Sequence, residues 1–125
     1  MIWESILSTP PSRGDVVKVP FPYTDREVRQ RRPALVVSDQ PLGDDGRLHW
    51  VLMITSADHR RWPGDVALDR RHGEAGLPAP SLIRTSKIAT VEIDRMEPLG
   101  RMPEAFMDAV EAELDTILGR TGMGD

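Results

Sequence analysis

The side chains best equipped for chemistry in this chain are arginines. Of its 16 basic residues, only Lys18 and Lys87 are lysines. Arg26, Arg29, Arg31 and Arg32 fall within seven residues with only Glu27 to oppose them, and Arg60 with Arg61 and Arg70 with Arg71 form two further pairs. A guanidinium offers a planar fork that meets two phosphate oxygens at once. The bias therefore suits a phosphate-rich ligand, although a solvated charged loop has the same composition. Two hydroxyls, Thr55 and Ser56, close the long apolar run LHWVLMITS, and His59 follows three residues later. Other chemistries are closed. With no cysteine there is no thiolate nucleophile and no zinc site built on sulfur. His49, His59 and His72 lie 10 and 13 residues apart, never at helical metal-ligand spacing. Neither common glycine-rich phosphate loop nor a GxSxG elbow occurs. No metal and no cofactor is expected.

The elements that must position these residues follow from pattern. A length of 125 residues is one domain, and 39% hydrophobic with 29% charged residues allows a core under a wet surface. The net charge of -4 argues against a general nucleic-acid binder, but its distribution does not. Residues 1–101 carry 15 basic and 14 acidic side chains, whereas residues 102–125 carry 1 and 6. No apolar run reaches the roughly 18 residues of a membrane span, and no secretory leader pattern opens the chain; a cytoplasmic location is expected.

Eleven prolines and ten glycines spread along the chain suit short strands joined by tight turns. Strands are predicted over 15–22, 32–38, 48–56 and 64–68, then one bent strand or two in succession over 81–92, and a last one over 96–101. The segment 23–31 reads as a charged loop, 39–47 as a turn, and 73–80 as a surface connection. Phe106, Val110, Leu114 and Ile117, widened by Met107 and Leu118, mark one amphipathic helix that starts near Pro103 and stops at Gly119. The fold class is mainly β (α+β), a small SH3-like barrel of five to seven strands with one C-terminal helix. An N-terminal extension is expected over 1–12, the folded domain over 13–119 and a tail over 120–125.

The ordered set RGDVVKVPFPYTD at 13–25, RRPALVVS at 31–38, ITS at 54–56 and GLPAPSLIRTSKIATVEIDR at 76–95 resembles the MazF/PemK family of toxin ribonucleases, in its PemK-like branch. The resemblance spans about 13–119. It implies metal-independent, sequence-selective cleavage of single-stranded RNA by a homodimer that a cognate acidic antitoxin neutralises. It places the family's catalytic Arg before Pro on Arg32, its strand-end Thr on Thr55, and a further Arg on Arg84. The chain also departs from the pattern: TDREVRQ stands where the family has a GSEQ-like loop, and Ser86, Lys87 and Ala89 replace an acid, a Gln and an Arg.

Attack of a ribose 2′-hydroxyl on the adjacent phosphate needs no outside nucleophile but builds negative charge at phosphorus, which a fixed arginine matches. RNA contacts are expected from Tyr23, Arg29, Arg31, Ser56, His59 and Trp62, the aromatic rings stacking on unpaired bases. Neither arginine nor threonine accepts a proton readily near neutral pH; His59 is a candidate. Two other readings stay open: a non-catalytic poison like the gyrase-binding CcdB toxins, which share the barrel, and a degenerate member that only binds its antitoxin.

Overall fold

A computed structural model of the chain describes residues 9–21 and 30–120. Strands β1 (Asp15–Pro20), β2 (Arg31–Val36), β3 (Leu48–Ser56), β4 (Val66–Ala67), β5 (Ser81–Glu92) and β6 (Glu97–Arg101) precede a single α-helix, α1 (Glu104–Leu118). They form one sheet in the order β4-β5-β3-β2-β1-β6. Every pairing is antiparallel, and the sheet curls into a half-barrel.

Alternate side chains of a strand point to opposite faces, and here both faces are covered. Val16, Leu35, Leu52, Ile54 and Ile83 pack with Met107 and Val110 of α1 and with Ala75 and Leu77. Val17, Val19, Ala34, Val36, Val51 and Met53 pack on the other face with Val91 and Met96. This two-sided burial explains why the strands read as nearly continuous apolar runs. Arg13 forms an ion pair with Glu111 that ties the start of the domain to α1.

Strand β5 is one bent strand. Its register with β3 runs from Leu52↔Ile88 to Met53↔Arg84, so Thr85, Ser86 and Lys87 are extra residues on one strand only. Such a bulge bends the strand and re-aims side chains.

Two expectations need correction. The stretch 73–80 is more than a surface connection: a 3-10 helix spans Asp69–Ala75, and Ala75 and Leu77 belong to the core. The chain gets that close because Gly76, at φ 79°, lies against β6, where a Cβ would sit 2.3 Å from the Leu99 carbonyl oxygen. Gly100 answers from the other side, its Cβ position 2.5 Å from the Ala75 carbonyl oxygen. The helix starts one residue after Pro103 and is closed by Gly119 at φ 77°. Its apolar face is shorter than its periodicity suggests, because Ile117 and Leu118 are 52% and 58% exposed. Leu114 is the last helix residue packed on the core.

At the end of the expected extension, Thr9, Pro10 and Ser12 are exposed while Pro11 is buried, its carbonyl 3.2 Å from His49 Nε2. Among the described residues, no helix is long and apolar enough to cross a membrane.

Candidate active site

The β2–β3 register pairs Ala34 with Met53. Two residues back along β2 and two forward along β3, Arg32 and Thr55 come level on one face of the sheet. That face carries Val36, Val51 and Met53 and lies opposite α1. Arg84 of β5, the partner of Met53, joins them from the other flank. A small cavity of about 40 Å³ lies between Arg32, Met53, Ile54, Thr55, Arg84 and Lys87. An open groove of about 330 Å³ shares four of these residues and adds His59, Arg60 and Trp62. Among the described residues, four of the seven that line it are cationic and none is acidic.

Arg32 and Thr55 are each partly exposed, as groups that meet a ligand must be. A guanidinium nitrogen of Arg32 donates to Gln30 Oε1 at 2.9 Å. Thr55 Oγ1 lies 2.7 Å from Nδ1 of the exposed His59. Their spacing is set by a turn in which His59 N–H donates to the Ser56 carbonyl at 3.1 Å and Asp58 N–H donates to Ser56 Oγ at 3.0 Å.

Arg84 plays a different part from its neighbours. It is 7% exposed; its guanidinium donates to the Arg60 carbonyl at 2.6 Å and lies 3.9 Å from the centre of the Trp62 ring. Asp65, also buried, is its counter-ion, with Oδ2 3.6 Å from Nε. That distance is an ion pair and too long for a hydrogen bond, and both Asp65 Oδ1 and Arg84 Nε are buried without a hydrogen-bond partner. The same Oδ2 accepts the Trp62 backbone N–H at 2.8 Å, and Thr85 Oγ1 donates to the Gly64 carbonyl at 2.8 Å. Through these contacts β5 clamps the turn that carries Arg60 and Trp62.

Of the other residues expected to contact RNA, Trp62 and His59 line the groove. Ser56 caps its own turn and is absent from the lining. Arg31 faces away, paired with Glu97 at 3.1 Å and donating to the Arg95 carbonyl at 3.4 Å. Alternation along β2 accounts for this, since Arg31 and Arg32 must point to opposite faces. Tyr23 and Arg29 lie outside the described residues.

Arg60, one of the basic pairs marked in the sequence, also lines the groove, whereas Lys87 and Asp65 carry no site signal there. The Lys87 ammonium sits 5.9 Å from the ring centres of both Phe21 and Trp62. Its place depends on the β5 bulge. His49 is ruled out as a site group by its surroundings. It is fully buried, with Nε2 3.2 Å from the Pro11 carbonyl and Nδ1 2.5 Å from Ser38 Oγ. A carbonyl only accepts, so Nε2 carries the proton and Nδ1 accepts from the serine. Burial pushes its pKa down. Among the described residues no cluster of three or more His, Asp or Glu is arranged to hold a metal.

Fold and groove together define a small curled β-sheet protein with a cationic cleft on the face away from its helix. Residues 12–118 match the family model described as the PemK-like, MazF-like toxin of type II toxin-antitoxin systems. The match covers most of the chain, which therefore belongs to that family. A MazF structure from Deinococcus radiodurans is 25% identical with a TM-score of 0.69, the match covering 89% of this chain and 98% of that one. A chain of a MazE-MazF structure from the same organism is 23% identical, with a TM-score of 0.68 and coverage of 89% and 97%. A mycobacterial endoribonuclease in complex with its cognate antitoxin is 24% identical, with a TM-score of 0.67 and coverage of 87% and 95%. No curated protein sequence matches the chain.

Proposed function

We propose that this toxin is a sequence-selective endoribonuclease that cuts single-stranded RNA by attack of a ribose 2′-hydroxyl on the neighbouring phosphate, without a metal ion. The observation that carries the reading is the meeting of Arg32 and Thr55, 23 positions apart in sequence, in one open groove rimmed by Arg60, Arg84 and Lys87. As the 2′-oxygen bonds to phosphorus and the 5′-oxygen departs, negative charge grows on the non-bridging oxygens. Arg32, held at the start of β2 by Pro33 and by its bond to Gln30, supplies a preorganised cation for that charge. The Thr55 hydroxyl orients the nucleophile. Arg32, Arg60 and Lys87 at the groove attract the phosphodiester. Trp62 gives an unpaired base a surface to stack on.

The family and the antitoxin-bound neighbour support a cognate antitoxin as partner. An acidic, partly disordered segment would lie across the same cations and compete with RNA. A homodimer acting in the cytoplasm completes the reading. Purified protein in excess EDTA should cut a mixed single-stranded transcript into fragments ending in 2′,3′-cyclic phosphate, and Arg32→Ala should slow cleavage by about 100- to 1,000-fold. Intact RNA, or an Arg32→Ala protein that cuts as fast as wild type, would refute it. Light scattering at micromolar concentration checks the dimer, which a monomeric mass would contradict.

A further inference from the structure

We propose that Thr55 and His59 form the proton-accepting unit of the groove, Thr55 Oγ1 receiving the 2′-hydroxyl proton while its own proton passes to His59 Nδ1. The inference rests on the ribonuclease reading of this groove and adds the step that reading leaves open. Attack at phosphorus requires the 2′-oxygen to lose a proton, and most groups around the groove cannot take one. Arg32, Arg60, Arg84 and Lys87 are donors, and the Trp62 indole has only an N–H to give. Among the described residues of the lining, Thr55 and His59 are the remaining polar side chains, and they already touch at 2.7 Å.

The contact is built into the fold. Thr55 is held in β3 by its pairing with Leu82, and the turn that follows is fixed by the bonds from His59 N–H to the Ser56 carbonyl and from Ala57 N–H to the Pro80 carbonyl, at 3.1 and 3.0 Å. An imidazole at this distance from a hydroxyl is the arrangement that activates hydroxyl groups in proton-transfer sites generally. His59 is exposed, so a ribose can reach the pair. Among the described residues, the charged groups lining the groove with it are Arg32 from β2, Arg60 from the turn, and Arg84 and Lys87 from β5. Asp65 is paired with Arg84.

The step balances without a further reactant. The 2′-oxygen forms its bond to phosphorus as its proton moves to Thr55 and the threonine proton to His59. The bond from phosphorus to the 5′-oxygen breaks, its electron pair leaves on that oxygen, and water protonates it. The imidazolium returns its proton to the hydroxide so formed. His59 acts through Thr55 and has no need to touch the phosphate.

The test is single-turnover cleavage of a mixed single-stranded transcript in EDTA, from pH 5 to 9, by wild type, His59→Ala, His59→Gln and Thr55→Val, with melting curves to show that each variant is folded. His59→Ala and His59→Gln should each lose about 100-fold or more in rate at saturating protein and should lose the acidic limb of the wild-type pH profile. Added imidazole should restore part of the His59→Ala rate. The double variant with Thr55→Val should fall little below either single one, because the two groups act as a unit. If wild type cuts RNA and folded His59→Ala cuts within about threefold of it with an unchanged pH profile, the proton-accepting pair is overturned. If wild type leaves RNA intact, the ribonuclease reading itself fails.

Discussion

Replacing Asp65 with alanine should expose how much of the groove depends on one buried ion pair. The Asp65 side chain is fully buried and that of Arg84 is 9% exposed, with 3.6 Å between Oδ2 and Nε. At an effective dielectric of about 20, opposite charges at that distance attract by roughly 4 to 5 kcal/mol. Desolvation offsets much of this gain while the pair is intact. Asp65→Ala removes the attraction, leaves the Arg84 charge buried without its counter-ion, and strips the Trp62 backbone N–H of its acceptor. Breaking such a pair costs about 3 to 5 kcal/mol. For a chain of this size that is a loss of roughly 10 to 20 °C in Tm, at about 3 to 4 °C per kcal/mol.

Arg84→Met removes the charge at similar volume, so the double variant Asp65→Ala/Arg84→Met should be more stable than Asp65→Ala alone. Urea denaturation of the four proteins gives the coupling energy directly. A cost below about 1 kcal/mol for Asp65→Ala, or two single effects that add to within about 0.5 kcal/mol, would refute the account of this pair.

Four further outcomes are expected. Gly76→Ala should lose more than about 1 kcal/mol in urea denaturation, because it combines a positive φ with a Cβ 2.3 Å from the Leu99 carbonyl; Gly73→Ala, with open space around it, should lose much less. His49 has a pKa below its ordinary 6.5 because burial disfavours its charged form. The unfolded chain therefore binds the proton more readily, and stability should decline as pH falls below about 6.5, a slope that urea midpoints at pH 7.5, 6.5 and 5.5 would show and that His49→Gln should flatten. Trp62→Ala should weaken RNA binding by about 1 to 3 kcal/mol, and Lys87→Ala should lower the salt dependence of binding by about 0.7 in the logarithmic slope if it meets one phosphate; filter binding to a single-stranded transcript at several salt concentrations measures both.

The elements were legible in the residues because their signals are local. Apolar runs mark 32–38 and 48–56 as strands, the change to a period near 3.6 marks α1, and Gly119 marks its end. Resemblance to the MazF/PemK family, carried by segments around 13–25, 31–38, 54–56 and 76–95, pointed to Arg32, Thr55 and Arg84 before any geometry was known. The family itself is confirmed by the match over 12–118. Composition and spacing set the kinds of side chain present: many guanidiniums, a strand-end threonine, a histidine four residues beyond it, and no thiol.

Only tertiary structure decided what each of those side chains faces. Arg31 and Arg32 are adjacent in sequence, yet strand alternation turns one toward Glu97 and the other into the groove. Arg84 carries an aromatic ring and a buried carboxylate because β5 meets the turn 57–65, a juxtaposition between segments that no local pattern encodes. Lys87 reaches the groove through three extra residues in a register, and a register is a property of two strands together. Periodicity is a property of one segment and can be read from it; convergence depends on the distances folding closes between segments, and is settled only when they pack.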